Sequence, residues 1–524
     1  MDIRSLEEQV ALLVGLSARP TGSDAHRALI EDVAARWEAL GLEVHRDAHT
    51  FTRWEVPTGA ARLTVGEESV KVSSAYPYSG TTGPEGVSGR LHLLDGLVKH
   101  WRRARGGIAV VEVPHRPVPF DLLIGQWEGD APARPPVANP VVTATLFGPA
   151  LASARKAGVL GVIAVWKGLS PGNAQGQYLP FTFPYRDLPA LWVAGEDGER
   201  VLAAARAGDD AHLVLDAVLT ENTQTETIWT ISKATPPDKA DKTPTPEAAD
   251  APDGRAATDS APEKGTGVQV PDGGAASARG RGAAGGSGGG ESVLVVSHSD
   301  GVNAIEENGH IGLVEMARDA VERPHRRDIV FVLTSGHLRI PAVTSHGQAT
   351  TAWLAAHPEL WAGGPGQLRA VAGLVVEHLG AREFADDPTT GVYGPTGALE
   401  PELLYATTRQ LRDLVLEEWT GPAPAPTEVC APGPLVHFGE GEPLYERRIP
   451  AVCLVTPPQY LLAETPYDAS LTDLPSLQRQ IESFIRLQRR LDALPSFTPV
   501  PAPSRLRKLW ATLRAARLAL TPTP

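Results

Sequence analysis

The feature that most constrains the fold of this chain is a long tract near its middle that has no aromatic side chain. No Phe, Trp or Tyr occurs between Trp229 and Phe331, and residues 233–290 consist mainly of Pro, Ala, Gly, Asp, Lys and Ser. Such a tract buries too little apolar surface to offset the entropy lost when it is ordered. We therefore predict a disordered linker at 233–290, which divides the 524 residues into two folded stretches.

The composition excludes several classes of protein. Hydrophobic residues make up 42% and charged residues 21%, which is typical of a globular chain. The two cysteines exclude a disulfide scaffold and a Cys-based zinc cluster, so a metal site needs His and carboxylate ligands. The net charge of -14 argues against a nucleic-acid partner.

The N-terminus and the apolar runs predict the compartment. Acidic residues stand where a secretory signal has a positive region, and no apolar run approaches the roughly 20 residues of a transmembrane helix. We expect a cytoplasmic protein without a transmembrane segment.

The first folded stretch combines helices and strands. Ser23 is the expected N-cap of a helix whose apolar residues recur at helical spacing through Leu40, and Gly41 is its expected end. Short apolar β segments follow at 89–94 and 108–113. A helix at 149–157 and a strand at 159–166 complete a predicted α+β unit that ends near residue 217.

The second stretch alternates strands and helices, which predicts an α/β fold with a mostly parallel sheet flanked by helices. We expect strands at 292–296, 329–334, 370–376 and 449–455, and helices at 312–321, 346–356 and 474–491.

The last residues form a separate segment, 496–524, in which positions 505–520 interleave basic and apolar side chains. This pattern predicts a basic amphipathic helix. One interpretation is contact with an anionic membrane surface or a protein partner. The other is a solvated terminal helix that rests on the acidic body of the protein.

Side chains that suit metals and acid–base chemistry follow each predicted strand of the second stretch. In open parallel sheets, ligands bind beyond the carboxyl ends of the strands. The residues in these positions are His298, Asp300, Glu306 and Glu307 after the first strand, His337 after the second, Glu377 after the third and Glu464 after the fourth.

On these residues the sequence resembles the di-zinc aminopeptidases, especially the branch with a protease-associated domain that is related to glutamate carboxypeptidase and the transferrin receptor. Residues 19–23 resemble the N-terminal signature of that family, residues 154–163 its protease-associated domain, and residues 449–451 the strand before its last metal ligand. The resemblance implies an aminopeptidase-like core with an inserted α+β domain. Its segments are core at 1–85, protease-associated-like domain at 86–220, return to the core at 221–232, linker at 233–290, core at 291–495 and tail at 496–524.

The resemblance also implies roles for individual residues. His298 matches the first zinc ligand, and Asp300 matches the acid that orients it. Glu307 matches the carboxylate that bridges the two metals, with Glu306 as the alternative. The other matches are Glu377 with the third-strand acid, Glu464 with the final His ligand, and His337 and Leu338 with a pair of glutamates, of which the first is the general base and the second a ligand.

These substitutions leave two functional interpretations open. A Leu side chain has no lone pair, so at most one zinc is expected, on His298, Glu307 and Glu377, with His337 as general base. The chain is then an aminopeptidase-like metallohydrolase that cleaves a peptide or amide bond at an altered site. Alternatively, it is a catalytically inactive homologue that acts as a binding or scaffold protein.

Overall fold

The computed structural model describes residues 3–96, 99–127, 136–235, 290–338, 349–387, 389–421, 427–433, 437–466, 468–495, 497–501 and 505–520. The predicted linker lies outside these residues from 236 to 289. None of the helices in the described ranges combines the length and apolar character needed to cross a membrane.

The strands are numbered in chain order. They are β1 His45–Glu55, β2 Ala61–Val65, β3 Glu68–Val70, β4 Ser74–Ala75, β5 Val87–Leu93, β6 Ile108–Pro114, β7 Gly161–Lys167, β8 Ala190–Val193, β9 Asp210–Leu215, β10 Val218–Ser232, β11 Glu291–His298, β12 Asp328–Thr334, β13 Arg369–Val375, β14 Arg382–Asp386, β15 Tyr393–Leu399, β16 Glu402–Ala406, β17 Thr427–Cys430 and β18 Ala451–Leu454.

The helices are numbered in the same way. They are α1 Ile3–Leu16, α2 Asp24–Ala39, α3 Phe120–Leu123, α4 Pro140–Phe147, α5 Leu151–Ala157, α6 Pro171–Ala174, α7 Gly195–Ala207, α8 Gly309–Glu322, α9 Ala349–Ala356, α10 Arg409–Glu418, α11 Gly441–Glu446, α12 Leu474–Ala493 and α13 Arg505–Leu520, with short 3-10 turns at Trp101–Ala104, Pro358–Leu360 and Asp468–Ser470.

The core sheet has the strand order β1-β10-β12-β11-β13-β18-β16-β17. Its four central strands, β12, β11, β13 and β18, are parallel neighbours. They correspond to the four strands expected from the sequence, so the predicted mixed α/β fold with a parallel central sheet is confirmed. The edges differ, because β10 pairs antiparallel with β1 and β12, and β16 pairs antiparallel with β18.

The central strands are apolar on both faces because both faces are covered. Val293 and Val295 of β11 pack into one buried cluster together with residues of α8 and α12. Leu294 and Val296 pack into a second cluster on the opposite face, which includes Trp353 of α9. Alternation of side chains along a strand places neighbouring residues on opposite faces, so each face forms its own core.

A second sheet has the order β3-β2-β9-β5-β6-β7-β8-β4 and is built from residues between Ala61 and Leu215. It therefore begins before residue 86, where the sequence analysis places the start of the inserted unit. Its parallel centre, β5 to β8, packs against α5 and α7. The likeness of this unit to a protease-associated domain stays a prediction.

Two helices predicted from local signals are present. Ser23 caps α2 by accepting a hydrogen bond from the backbone N–H of His26, at 3.1 Å. Gly41, the expected end of this helix, has a φ of +78°, which an L side chain rarely adopts. The basic helix predicted at 505–520 is α13.

Candidate functional site

The candidate site lies at the carboxyl edge of the four central strands. β11 ends at His298, and the loops after β12 and β13 carry His337 and Glu377. Since these strands are parallel neighbours, their loops meet at one edge of the sheet. His298, His337 and Glu377 are all buried there, and the ring centroids of the two histidines are 4.6 Å apart.

Glu307 forms a buried ion pair with Arg19, and both side chains are 0% exposed. The pair is a charge contact, because neither Glu307 oxygen has a hydrogen-bond partner of acceptable geometry in the described residues. Arg19 also donates to the backbone carbonyls of Leu13, at 2.7 Å, and Asn303, at 2.8 Å. Burial lowers the pKa of Arg19 to about 10, so the side chain stays cationic at neutral pH.

The backbone at Gly301 leaves space for the ion pair of Arg19 and Glu307. Arg19 and Gly301 form a two-way backbone bridge, with N···O distances of 2.8 and 3.2 Å. A Cβ atom at Gly301 would overlap the Glu307 carboxylate. Glycine at this position therefore allows the carboxylate to lie against the guanidinium.

Asp300 holds the N-terminal segment to the loop after β12. Its carboxylate accepts hydrogen bonds from the Thr21 hydroxyl and, at 2.9 Å, from the Leu338 backbone N–H. The backbone N–H of Leu338 also donates to the Thr21 hydroxyl oxygen, at 3.0 Å. Burial raises the pKa of Asp300, whereas the neighbouring histidines in their protonated forms and the hydrogen bond from Thr21 lower it, and the net pKa is lowered.

His298 is oriented by the backbone of Asp300 rather than by its carboxylate. His298 Nδ1 donates to the Asp300 carbonyl oxygen at 3.0 Å. Burial lowers the pKa of His298, so the ring is neutral. The role in orienting His298 that the resemblance implies for the Asp300 carboxylate is thus carried by the main chain of the same residue.

His337 is the residue of the site whose polar atoms are least engaged. Neither of its ring nitrogens has a hydrogen-bond partner among the described residues. Its Nδ1 lies 3.7 Å from Glu440 Oε1, which is beyond hydrogen-bond distance, and its ring lies 4.9 Å from the Phe181 ring. Burial lowers the pKa of His337 to about 3, so the imidazole is neutral.

Glu377 and Glu440 form a pair of buried acids. Glu377 Oε1 accepts a hydrogen bond from the backbone N–H of Glu440 at 2.8 Å. Glu440 in turn accepts from the N–H groups of Ala349 and Thr350, at 3.1 and 2.9 Å, at the N-terminus of α9. Burial, followed by the nearby Glu440 charge, raises the pKa of Glu377 to about 8, and burial raises that of Glu440 to about 7.

The remaining two acids are placed differently. Glu306 accepts a hydrogen bond from the Val302 N–H at 2.7 Å, and burial raises its pKa well above the usual range. Glu464 is an exposed residue by surface area, although partial burial of its carboxyl raises its pKa, and its backbone N–H donates to the Gly176 carbonyl at 3.0 Å. Glu464 therefore joins the second sheet's unit to the core by its main chain.

These side chains do not fit a zinc ion. Zinc needs three or four converging donors, and no group of three or more His, Cys, Asp or Glu side chains within the described ranges is arranged to hold a metal. Arg19 is paired with Glu307, and Glu464 is an exposed residue. The expected ligand set of His298, Glu307, Glu377 and Glu464 is not assembled.

Sequence reasoning missed three residues of the site. His378 directly follows Glu377 and is buried, with burial lowering its pKa to about 3 and its Nδ1 unpartnered among the described residues. Arg19 lies within the recognised N-terminal signature, which gave no sign of its pairing with Glu307.

The only local sequence signal for Glu440 is its position between Gly439 and Gly441. In the structure, a Cβ atom on Gly439 would overlap the Glu377 carboxylate.

The fold is similar to those of solved aminopeptidases. The aminopeptidase from Aneurinibacillus sp. strain AM-1 is 13% identical, with a TM-score of 0.59 and 96% of each chain covered. BSAP, a zinc aminopeptidase from Bacillus subtilis, is 14% identical, with a TM-score of 0.56 and coverage of 93% of this chain and 95% of that one. A peptidase M28 precursor from Shewanella amazonensis SB2B is 12% identical, with a TM-score of 0.59 and 95% of each chain covered.

At this level of identity the likeness establishes the fold, and it confirms the resemblance seen in the sequence at that level. No protein-family model matches the sequence, and a search of curated proteins gave no match.

Proposed function

We propose that this chain uses the aminopeptidase fold to bind a peptide or amide-bearing ligand and does not carry out zinc-dependent hydrolysis. The observation that carries the proposal is the buried ion pair of Arg19 with Glu307, which the resemblance matches to the metal-bridging carboxylate, with Glu306 as the alternative. A guanidinium at this carboxylate repels a second cation, and its positive charge already compensates the negative one.

The residue after His337 supports the same conclusion. Leu338 stands where the resemblance implies a glutamate ligand, and its side chain is 3% exposed. A buried leucine contributes apolar packing and no lone pair for a metal. Its backbone N–H is already used by Asp300 and Thr21, so this part of the loop has a structural task.

The chemistry of the unpartnered atoms indicates the kind of ligand. Both nitrogens of His337, Nδ1 of His378 and Oε2 of Glu377 are buried without a hydrogen-bond partner in the described residues. Neutral imidazoles and a protonated carboxyl can each donate and accept. A peptide or amide group, which also donates and accepts without net charge, suits these side chains better than an ion does.

Zinc content and peptidase activity test the proposal together. The full chain is loaded with zinc, desalted and analysed by mass spectrometry, and then assayed with aminoacyl and peptide amide substrates. The His298→Ala variant is the control. We expect the same low zinc content in both proteins and no hydrolysis above the buffer rate. About one zinc per chain that is lost in the variant, or hydrolysis that depends on His298, overturns the proposal.

Ligand binding is tested separately by titrating short peptide amides into the full chain by calorimetry. The His337→Phe variant keeps a buried ring and removes both polar nitrogens, so we expect it to weaken binding about tenfold or more. His212→Phe, in β9 of the second sheet, is the matched control and leaves binding unchanged. Equal affinities in all three proteins contradict the assignment of the site.

A one-zinc amide hydrolase is the second candidate. The observation that favours it is the 4.6 Å separation of the His298 and His337 rings, together with the His337 nitrogens, which have no partner among the described residues. A neutral imidazole in this position suits a general base. The same zinc measurement decides between the candidates, because only the hydrolase predicts stoichiometric metal that is lost in His298→Ala.

A further inference from the structure

We propose that α13 is a docking surface for an anionic lipid membrane. Four large apolar side chains of this helix are more than half exposed: Leu506 is 69%, Leu509 55%, Trp510 70% and Leu513 53% exposed. They recur at i, i+3, i+4 and i+7, so they form a single stripe along one face of the helix. We call these four residues the apolar stripe.

The orientation of α13 on the protein body is the reverse of the usual one. Ala511 is 6% exposed and Ala515 is partly buried, and both pack into the core cluster that contains residues of α3. By the 100° turn per residue of an α-helix, these alanines lie opposite the apolar stripe. A helix that merely rests on its own protein buries its largest apolar side chains, whereas α13 buries alanines and presents leucines and a tryptophan outward.

An ion pair stabilises this orientation. Arg514 donates to Asp121 of α3 at 2.8 Å. Asp121 lies on α3, which contacts α13, and the two alanines pack into the cluster that includes residues of α3. The charged contact and the alanine contacts therefore hold the same side of α13 against the protein body. The apolar stripe therefore points to solvent as a consequence of two separate contacts.

Charge identifies the occupant. Residues 505–520 contain five basic residues and no acidic one, in a chain whose net charge is -14. Arg505 and Lys508 are exposed. An anionic lipid surface attracts this helix and repels the remaining acidic body, which orients the protein with α13 toward the headgroups. Helices that lie in the membrane interface typically combine leucine and tryptophan on one face with flanking basic residues.

A second copy of this chain fits less well. Apposition of two α13 helices would bring ten basic side chains together, since each helix carries five. Repulsion between them opposes the gain from burying the apolar stripes. Self-association through α13 is therefore the less favourable alternative, and sedimentation equilibrium detects it.

Flotation of the full-length protein with lipid vesicles tests the proposal. The vesicles are phosphatidylcholine alone or phosphatidylcholine mixed with phosphatidylglycerol. We expect binding to the anionic vesicles only, with weakening as salt is raised. The double variant Leu509→Ser, Trp510→Ser removes half of the apolar stripe and should lower partitioning about tenfold or more. Leu416→Ser is the matched control, because Leu416 of α10 is 57% exposed and lies outside α13.

Charge reversal provides the second arm. Arg505→Glu with Lys508→Glu should lower partitioning into anionic vesicles about tenfold or more. Arg102→Glu with Arg103→Glu changes the net charge equally at two exposed residues away from α13, and should have little effect. Equal loss in both double variants overturns the proposal, because only net charge then matters. Absence of flotation, or a Trp510-dependent dimer in sedimentation equilibrium, also overturns it.

Discussion

The candidate site at the sheet edge and helix α13 depart from the usual distribution of side chains in opposite directions. At the sheet edge, Arg19 and Glu307 carry opposite charges and are 0% exposed. On α13, Trp510 is 70% exposed. Buried charges are tolerated when they are paired, so the charges of Arg19 and Glu307 are compensated within the chain. An exposed apolar stripe is covered only by something outside the chain. The buried ion pair therefore governs stability, and the apolar stripe governs association.

The largest expected effect is at the buried ion pair. Arg19→Met leaves Glu307 as an uncompensated buried charge and removes the hydrogen bonds to Leu13 and Asn303. We expect the free energy of unfolding to fall by about 3–5 kcal/mol, measured by urea unfolding followed by circular dichroism.

The control for this change is Arg155→Met. Arg155 pairs with Asp187 at side-chain exposures of 58% and 54%, so its loss should cost at most about 1 kcal/mol. The double variant Arg19→Met, Glu307→Met removes both charges and should recover part of the loss. Equal stability of Arg19→Met and Arg155→Met would show that the buried ion pair stabilises the protein no more than the exposed one.

A smaller effect is expected where the N-terminal segment meets the loop after β12. Thr21→Val removes the hydroxyl that lies between the Asp300 carboxylate and the Leu338 N–H. We expect a loss of about 1–3 kcal/mol in the free energy of unfolding. Thr512→Val on α13 removes an exposed threonine hydroxyl, which donates a hydrogen bond to the Lys508 carbonyl, and should change stability by less than about 0.5 kcal/mol. A loss of stability of similar size at both threonines would show that the hydrogen bonds of the buried Thr21 contribute no more to stability than the exposed one of Thr512.

The pH dependence of stability reports on Glu377. Its pKa is raised from 4.5 to about 8 in the folded protein, mainly by burial. Between these values the folded state keeps a proton that the unfolded state releases, so stability falls as the pH rises. One such proton gives a slope of at most about 1.4 kcal/mol per pH unit.

Glu377→Gln should remove this contribution, and the difference from the wild type should widen as the pH rises through the window from 4.5 to about 8. Glu446→Gln, at an exposed residue, provides the matched control and should leave the wild-type slope intact. The measurement is urea unfolding at several pH values. Parallel curves for wild type and Glu377→Gln would contradict a raised pKa at this carboxyl.

The smallest effect on stability is expected at α13. Trp510→Ser removes a side chain that is 70% exposed, and the free energy of unfolding should change by less than about 0.5 kcal/mol. The same variant is expected to weaken vesicle binding, so stability and association separate in one protein. A loss of more than about 1 kcal/mol would mean that Trp510 packs against the body in solution.

Much of the core fold was predictable because its signals are local or periodic. The apolar runs predict the ends of β11, β12 and β13 to within two residues, and the sequence around Ser23 predicts the cap of α2. The antiparallel pairing of β1, β10 and β16 at the sheet edges is not predicted by the sequence. Their pairing depends on segments that are distant in the sequence, as in the pairing of His45 with Trp229.

The sequence by itself determined the four parallel strands, the polar residues that follow them and the amphipathic pattern of α13. Each of these depends on the spacing of residues along a short segment. Only the tertiary structure decided that Arg19 neutralises Glu307, that Glu440 lies beside Glu377, and that α13 presents its apolar stripe to solvent. These arrangements join residues far apart in the chain. Burial determines the protonation states of these residues and whether a ligand can reach them. The residue types and their spacing in the sequence do not determine how deeply each residue is buried.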